Sequence, residues 1–197
     1  MSVLELTPPE VVTPLPHGGP PRDPYADPPP DALFEVVNGE RVEKAVSLIE
    51  QLIAVRLVVR LEPFCRDRGI GHAVTETTFA IPSRGNDRKP DVAFVSYQSW
   101  PEDRPIPRVN AWPVVPDVTV EVVSPSDKAF DVLDKLEEYF EAGVRQAWLI
   151  FSHVGRAYRY TSPTEVRVLS AADELDFEPL VPGFRLPLAE LFPLVEG

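Results

Sequence analysis

Two acidic residues stand in segments of the sequence that otherwise favour buried β-strands. Glu121 is the one charged residue in the apolar run at 118–123, and Asp91 follows Pro90 at the start of a second apolar run. A carboxylate inside a buried strand is costly unless it is paired or bound to a cation. Two such acids on adjacent strand ends would form an oxygen-rich, negatively charged pocket that a hard cation prefers. We therefore predict that Asp91 and Glu121 bind Mg²⁺, for which Mn²⁺ is the expected substitute.

The separation of about 30 residues does not show that the two acids meet, because sequence spacing between non-local strands sets no distance. Asp91 could instead cap a strand, and Glu121 could form a structural ion pair. Both alternatives stay open at the level of the residues alone.

The elements that must position these acids begin with a hairpin, 34–37 and 40–42, joined by the Asn38-Gly39 pair typical of a type I′ turn. A helical repeat of apolar residues then runs from Lys44 to about Arg68 and stops before Gly69. Two strands are predicted at 72–81 and 90–95 and are expected to pair, with a polar loop at 83–89 between them.

The nearly continuous apolar run at 118–123 predicts a central strand. A second helix is expected after the capping residues of the segment SPSD (124–127) and should end at Gly143. Further strands are predicted at 144–151, 157–161 and 166–169. This order of elements predicts an α/β fold with a central mixed sheet flanked by helices.

Ten of the 24 prolines lie in residues 1–30, which predicts a flexible N-terminal arm before a single domain at 31–197. No segment approaches the roughly 20 apolar residues of a membrane span. The single cysteine, Cys65, excludes an internal disulfide and fits a reducing compartment, so we expect a cytoplasmic protein with Cys65 packed in a helix.

The formal net charge of −12 argues against binding nucleic acid, since contacts with phosphate dominate such affinity. A local basic strip could still serve, and basic residues flank the segment that carries Asp91. They are Arg84, Arg88, Lys89, Arg104 and Arg108. A solvated charged loop explains the same residues.

Several separate blocks of the sequence resemble one protein family. They are the Asn-Gly hairpin, PDVAFVS (90–96), PDVTVEVVSPSDKAFDVLDKLEEYFEAGVRQAWLI (116–150) and the PGF…LF ending (182–192). Over roughly residues 33–192 the chain is similar to the Uma-type family of the PD-(D/E)XK nuclease superfamily. The resemblance implies a restriction-endonuclease-like core, DNA as substrate and a homodimer.

Carried over position by position, the resemblance implies that Asp91 and Glu121 bind the metal and that the backbone carbonyl of Val122 is a further ligand. Lys135 would be the lysine of the site, and Glu50 on the first helix would be an auxiliary acid. A solvated helix surface is the alternative for Glu50.

The chain departs from the superfamily pattern at the lysine, which is expected two residues after the second acid, where Val123 stands. Lys135, on the helix that follows, could reach back over the strand end with its long side chain. Lys128 is the rival candidate, and a helix-surface salt bridge is the structural alternative for Lys135.

These residues predict a metal-dependent endonuclease, and the alternative is a catalytically inactive nuclease fold that acts by binding. Motifs of other chemistries are missing from the sequence, including GxSxG, the GxxxxGK phosphate loop and HExxH.

Overall fold

The computed structural model of the protein describes residues 33–44 and 47–193, so the predicted N-terminal arm lies outside the described residues. In chain order the elements are β1 (Phe34–Val37), β2 (Glu40–Glu43), α1 (Leu48–Arg68), β3 (Gly71–Thr75), β4 (Phe79–Ile81), β5 (Asn86–Arg88), β6 (Val92–Ser96), β7 (Val118–Val122), α2 (Ala129–Ala142), β8 (Gln146–Phe151), β9 (Arg156–Ser162), β10 (Glu165–Ser170), β11 (Glu174–Phe177), β12 (Val181–Pro187) and α3 (Leu188–Leu191).

A six-stranded mixed sheet in the order β10-β9-β8-β7-β6-β3 forms the centre of the fold. β7 and β8 run parallel and are joined by α2, whereas the other neighbours are antiparallel. The predicted mixed α/β fold is confirmed, and so are the central position of β7 and the pairing of the strand that begins at 71 with the strand after Asp91.

A second sheet, in the order β2-β1-β5-β4, contains the hairpin. Asn38 and Gly39 both have positive φ, 54° and 78°, as the predicted type I′ turn requires. The prediction of one strand at 72–81 is wrong, because Glu76 takes a left-handed φ of 48° and separates β3 from β4. β4 then pairs with β5, in the segment predicted as a loop.

Helix α1 begins at Leu48, four residues later than predicted. Ser47 is the N-cap, and its side chain and that of Glu50 form a reciprocal capping box. A capped start of this kind fixes the first turn of the helix, so Lys44 stays outside it, in the connection from β2. The C-terminal end is as predicted, with Gly69 in the left-handed conformation.

Helix α2 ends at Gly143 as predicted, at a φ of 108°. The predicted capping by residues 124–127 is wrong, because the N-cap is Lys128 and no side chain caps the helix. Asp127 instead accepts a hydrogen bond from the backbone N–H of Ser124 and closes a turn of its own.

The two faces of the six-stranded sheet are covered by different elements. Helix α1, α3 and the β11–β12 hairpin pack on one face, and Cys65 is buried there as predicted. The other face packs against α2 and β4 through a smaller core that includes Phe79, Ala93, Val95 and Tyr139. Within the described residues, no helix combines the length and apolar character that crossing a membrane requires.

Candidate active site

The pairing of β6 with β7 brings the two predicted acids to one place. Val92 is opposite Val120, so continuing the antiparallel register by one residue sets Asp91 opposite Glu121. Both side chains line one cavity of about 540 Å³. Asp91 and Glu121, which are far apart in the sequence, thus line the same cavity.

Asp91 is held by two internal donors and is only 3% exposed. Its Oδ2 accepts a hydrogen bond from the backbone N–H of Val122 at 2.6 Å. Its Oδ1 lies 2.6 Å from Nζ of Lys44, which also donates to the carbonyl oxygen of Lys89 at 2.8 Å. These contacts fix the orientation of the Asp91 carboxylate.

Glu121 points toward α2. Its Oε1 accepts a hydrogen bond from the Tyr139 hydroxyl at 2.6 Å and lies 2.9 Å from Nζ of Lys135. Burial raises the pKa of the Glu121 carboxyl, and the negative charge of Asp91 adds to this rise, although Lys135 and Lys44 oppose it. Burial thus favours the protonated form of Glu121, and the two lysines favour its carboxylate form.

Lys135 bridges two carboxylates, since its Nζ is also 2.7 Å from Oε1 of Glu35. Burial alone would lower the pKa of Lys135, but the charges of Glu121 and Glu35 outweigh it and raise this pKa. Lys128 lines the rim of the same cavity, yet it is exposed and forms no ion pair with the described residues. The geometry thus brings Lys135, rather than Lys128, into contact with Glu121.

Glu35 links the site to a buried ion-pair chain. Arg88 contacts Glu35 at 3.1 Å and Glu138 at 2.8 Å, and the backbone N–H of Lys89 donates to Glu35 at 2.8 Å. Burial acts to raise the pKa of Glu35, but Lys135 and the other donors prevail and lower it to about 2.

The predicted basic strip is not a free surface. Arg88 is buried at 6% exposure, Arg84 is paired with Asp134 and Glu141, and the Arg104 guanidinium stacks on the Trp100 ring at 3.7 Å. The prediction is therefore wrong for Arg88, because acidic neighbours close in the fold draw it inward.

Glu50 lines the cavity and is 8% exposed. One carboxylate oxygen accepts from the backbone N–H of Ser47 at 2.9 Å, as part of the capping box. A structural role explains the burial of Glu50, and its role as an auxiliary acid stays a prediction.

The carboxylates of the cavity are of the ligand type that a hard divalent cation takes. Within residues 33–44 and 47–193, no group of three or more His, Cys, Asp and Glu side chains is arranged to hold a metal. Mg²⁺ usually keeps several waters and takes only one or two carboxylates from the protein. Asp91 and Glu121 supply two carboxylates to the cavity, and each already contacts a lysine ammonium.

Three partners of the acids were missed by the sequence reasoning: Glu35, Lys44 and Tyr139. Glu35 carried a usable signal, because it is a charged residue in the short apolar strand FEVV, as Glu121 is in its own strand. Tyr139 lies one helical turn after Lys135, but its helical spacing indicated only core packing. Lys44 carried no such signal, since the sequence assigned its segment to the first helix.

The chain is similar in sequence to one protein family. Residues 23–189 match the profile of the Uma2 family, whose description reads "Putative restriction endonuclease". The chain belongs to the Uma2 family. The resemblance drawn from the sequence blocks is thereby confirmed, and membership in the Uma2 family supports nuclease chemistry.

A solved structure shows the same fold as this Uma2 chain. It is described as "a putative nuclease belonging to DUF820 from Anabaena variabilis ATCC 29413", and it is 19% identical in sequence with a TM-score of 0.71. The match covers 81% of this chain and 89% of the other. No curated protein matches the chain.

Proposed function

We propose that the protein is a metal-dependent endonuclease that hydrolyses phosphodiester bonds of DNA. The observation that carries the proposal is the convergence of Asp91, Glu121 and Lys135 on one cavity in a member of the Uma2 family. Two acids beside an amine are the parts that this hydrolysis requires, because negative charge builds up on the phosphate in the transition state.

In this proposal Asp91, Glu121 and the carbonyl oxygen of Val122 would hold Mg²⁺, with Mn²⁺ as a substitute. When bound, the ion would polarise a phosphate oxygen and lower the pKa of the attacking water. Lys135 orients that water or offsets the charge that develops on the phosphate. Tyr139 orients Glu121 through the hydrogen bond from its hydroxyl.

Lys44 has a different part, as the internal counter-ion of Asp91. Its Nζ neutralises the carboxylate at 2.6 Å, and a divalent ion bound by Asp91 would compete with it electrostatically. Removing the charge of Lys44 is therefore expected to strengthen metal binding while weakening the metal-free protein.

The choice of DNA as substrate and of a homodimer as the active form rests on the family. A protein with a formal net charge of −12 binds DNA weakly unless charge is offset locally. A bound metal ion and Lys135 would supply that local positive charge. Cleavage should therefore decline steeply as salt is added.

The test is cleavage of supercoiled, linear and single-stranded DNA by purified protein with Mg²⁺ or Mn²⁺. Glu121→Gln and Asp91→Asn should lose activity, and Lys128→Met is the matched control that should keep it. If no DNA form is cut under any metal condition, the enzymatic proposal fails.

One observation favours a second candidate, a nuclease fold that acts only by binding. Both carboxylate oxygens of Asp91 already have internal partners, and Val123 stands at the usual lysine position. Under this alternative, Mg²⁺ should leave the melting temperature unchanged in the wild type and in Glu121→Gln.

A further inference from the structure

Strand β10 is an outer strand of the six-stranded sheet, and two of its exposed residues are apolar. Four of its six residues are exposed, among them Val166 at 45% and Val168 at 53%. An exposed edge strand offers unpaired N–H and C=O groups to another strand. This edge is therefore suited to pairing with a further chain.

The opposite edge of the same sheet is protected. The backbone N–H of Ala73 in β3 donates to the Glu62 carboxylate at 2.6 Å, and α1 packs along that strand. In the described part of the chain, no side chain is hydrogen-bonded to the backbone of β10 between Val166 and Leu169. Of the two edges of this sheet, only the β10 edge is left open by the residues that the structure describes.

An apolar strip leads from the active-site cavity to this open edge. Residues paired across neighbouring strands lie on the same face of a sheet, and the registers give two such rows. The rows are Glu121, Leu149, Tyr158 and Val168, and Thr119, Ala147, Tyr160 and Val166. Helix α2 leaves the outer part of this face open, and its own Leu133 is 50% exposed.

The sequence of β10 is self-complementary in one symmetric register. Two-fold symmetry requires one residue to pair with its own copy, because hydrogen-bonded and non-bonded pairs alternate along antiparallel strands. With Val166 at the axis, Glu165 faces Arg167 of the second copy. An axis at Glu165 or at Arg167 would instead oppose two like charges.

Arg167 would also gain a direct ion pair in this register, since within the described residues its charge acts on Asp173 without forming one. Its neighbour on β9 is Arg159, and within the described residues Arg167 has no ion pair. In the register centred on Val166, Glu165 of the second copy would provide that partner. The same contact occurs twice in the symmetric pair.

We propose that the protein forms a symmetric homodimer in which β10 pairs antiparallel with β10 of a second copy, centred on Val166. The two sheets become continuous, and the axis perpendicular to them leaves both helices α2 and both cavities on the same face. One DNA duplex could then contact both sites, a consequence that rests on the proposed function, whereas the dimer itself does not.

The experiment measures the dissociation constant of the full chain by analytical ultracentrifugation. Arg167→Glu and Glu165→Arg should each raise this constant about tenfold or more, because two attractive pairs become repulsive. The double variant Glu165→Arg/Arg167→Glu should restore wild-type association. Arg66→Glu, an exposed change of equal charge on α1, is the control and should leave it unchanged.

Circular dichroism should show that every variant is folded, and Glu121→Gln should keep the dimeric mass while losing cleavage. That pair of results separates the dimer from the enzymatic proposal. A wild type that remains monomeric at the highest concentration overturns the dimer. So does a single variant that associates like the Arg66→Glu control, or a double variant that fails to regain association.

Discussion

Replacing Lys135 by methionine removes an ammonium group that contacts two carboxylates, those of Glu35 and Glu121. Methionine keeps the apolar stem of the side chain, so the change is mainly electrostatic. Lys135 is 15% exposed as a side chain, with Nζ 2.7 and 2.9 Å from the two carboxylates. Glu121 would then lack its nearest cation.

The expected loss follows from what the carboxylates can still contact. Removing one partner of a buried ion pair typically costs about 3–5 kcal/mol. The lower end applies here, because Arg88 still neutralises Glu35 and Glu121 can take up a proton. We therefore expect the free energy of unfolding to fall by about 3 kcal/mol at neutral pH.

Urea unfolding followed by circular dichroism measures this loss, which corresponds to a midpoint shift of roughly 1–2 M. Lys128→Met is the matched control and should shift the midpoint little, since surface substitutions usually change stability by less than about 0.5 kcal/mol. The double variant Glu35→Gln/Lys135→Met should lose less stability than the two single losses added together, because the residues contact each other.

Equal midpoints for Lys135→Met and Lys128→Met would refute the electrostatic account of the site. In a cleavage assay the same two variants separate the rival lysines. Activity lost with Lys128→Met and kept with Lys135→Met would reverse the assignment of the site lysine.

Glu35, Lys44 and Cys65 allow three further tests. The pKa of Glu35 is about 2 in the fold against 4.5 ordinarily, so the stability that its carboxylate contributes is present above pH 4.5 and is lost as the pH falls toward 2. The urea midpoint of Glu35→Gln should therefore depend less on pH in that window than the midpoint of the wild type. Parallel plots of midpoint against pH for the two proteins would contradict this. Lys44→Met should lower the melting temperature without metal yet tighten Mg²⁺ binding measured by calorimetry, whereas weaker binding would show that Lys44 supports the metal. Burial raises the pKa of the Cys65 thiol to about 12, so a thiol reagent should modify it only as fast as the protein unfolds, and rapid modification of native protein would be inconsistent with that burial.

Local patterns predicted most of the elements because their causes are local. The Asn38-Gly39 turn, the Gly69 and Gly143 helix ends and the apolar strand at 118–122 depend on residues close in the sequence. Helix α1 began later than predicted because Ser47 and Glu50 form a capping box, which competes with the apolar repeat for the first turn. One strand was predicted where the structure has β3 and β4, because the left-handed residue between them is Glu76 and not a glycine, which would have indicated a turn.

The site was predictable only in part, because its partners come from distant segments. Asp91 and Glu121 were found from their apolar surroundings, and Lys135 from the family resemblance. The hairpin that carries Glu35 and leads to Lys44 is placed at the site by the pairing of β1 with β5. The sequence did not indicate strand β5. Long-range pairing of this kind leaves no periodic signal in either segment.

The central claim is that Asp91 and Glu121 jointly hold one divalent cation, and calorimetric titration of Mg²⁺ and Mn²⁺ tests it most directly. The wild type should bind one ion, Asp91→Asn and Glu121→Gln should each abolish that binding, and the double variant should behave like either single one. Wild-type affinity in both single variants, each confirmed as folded, would contradict the account.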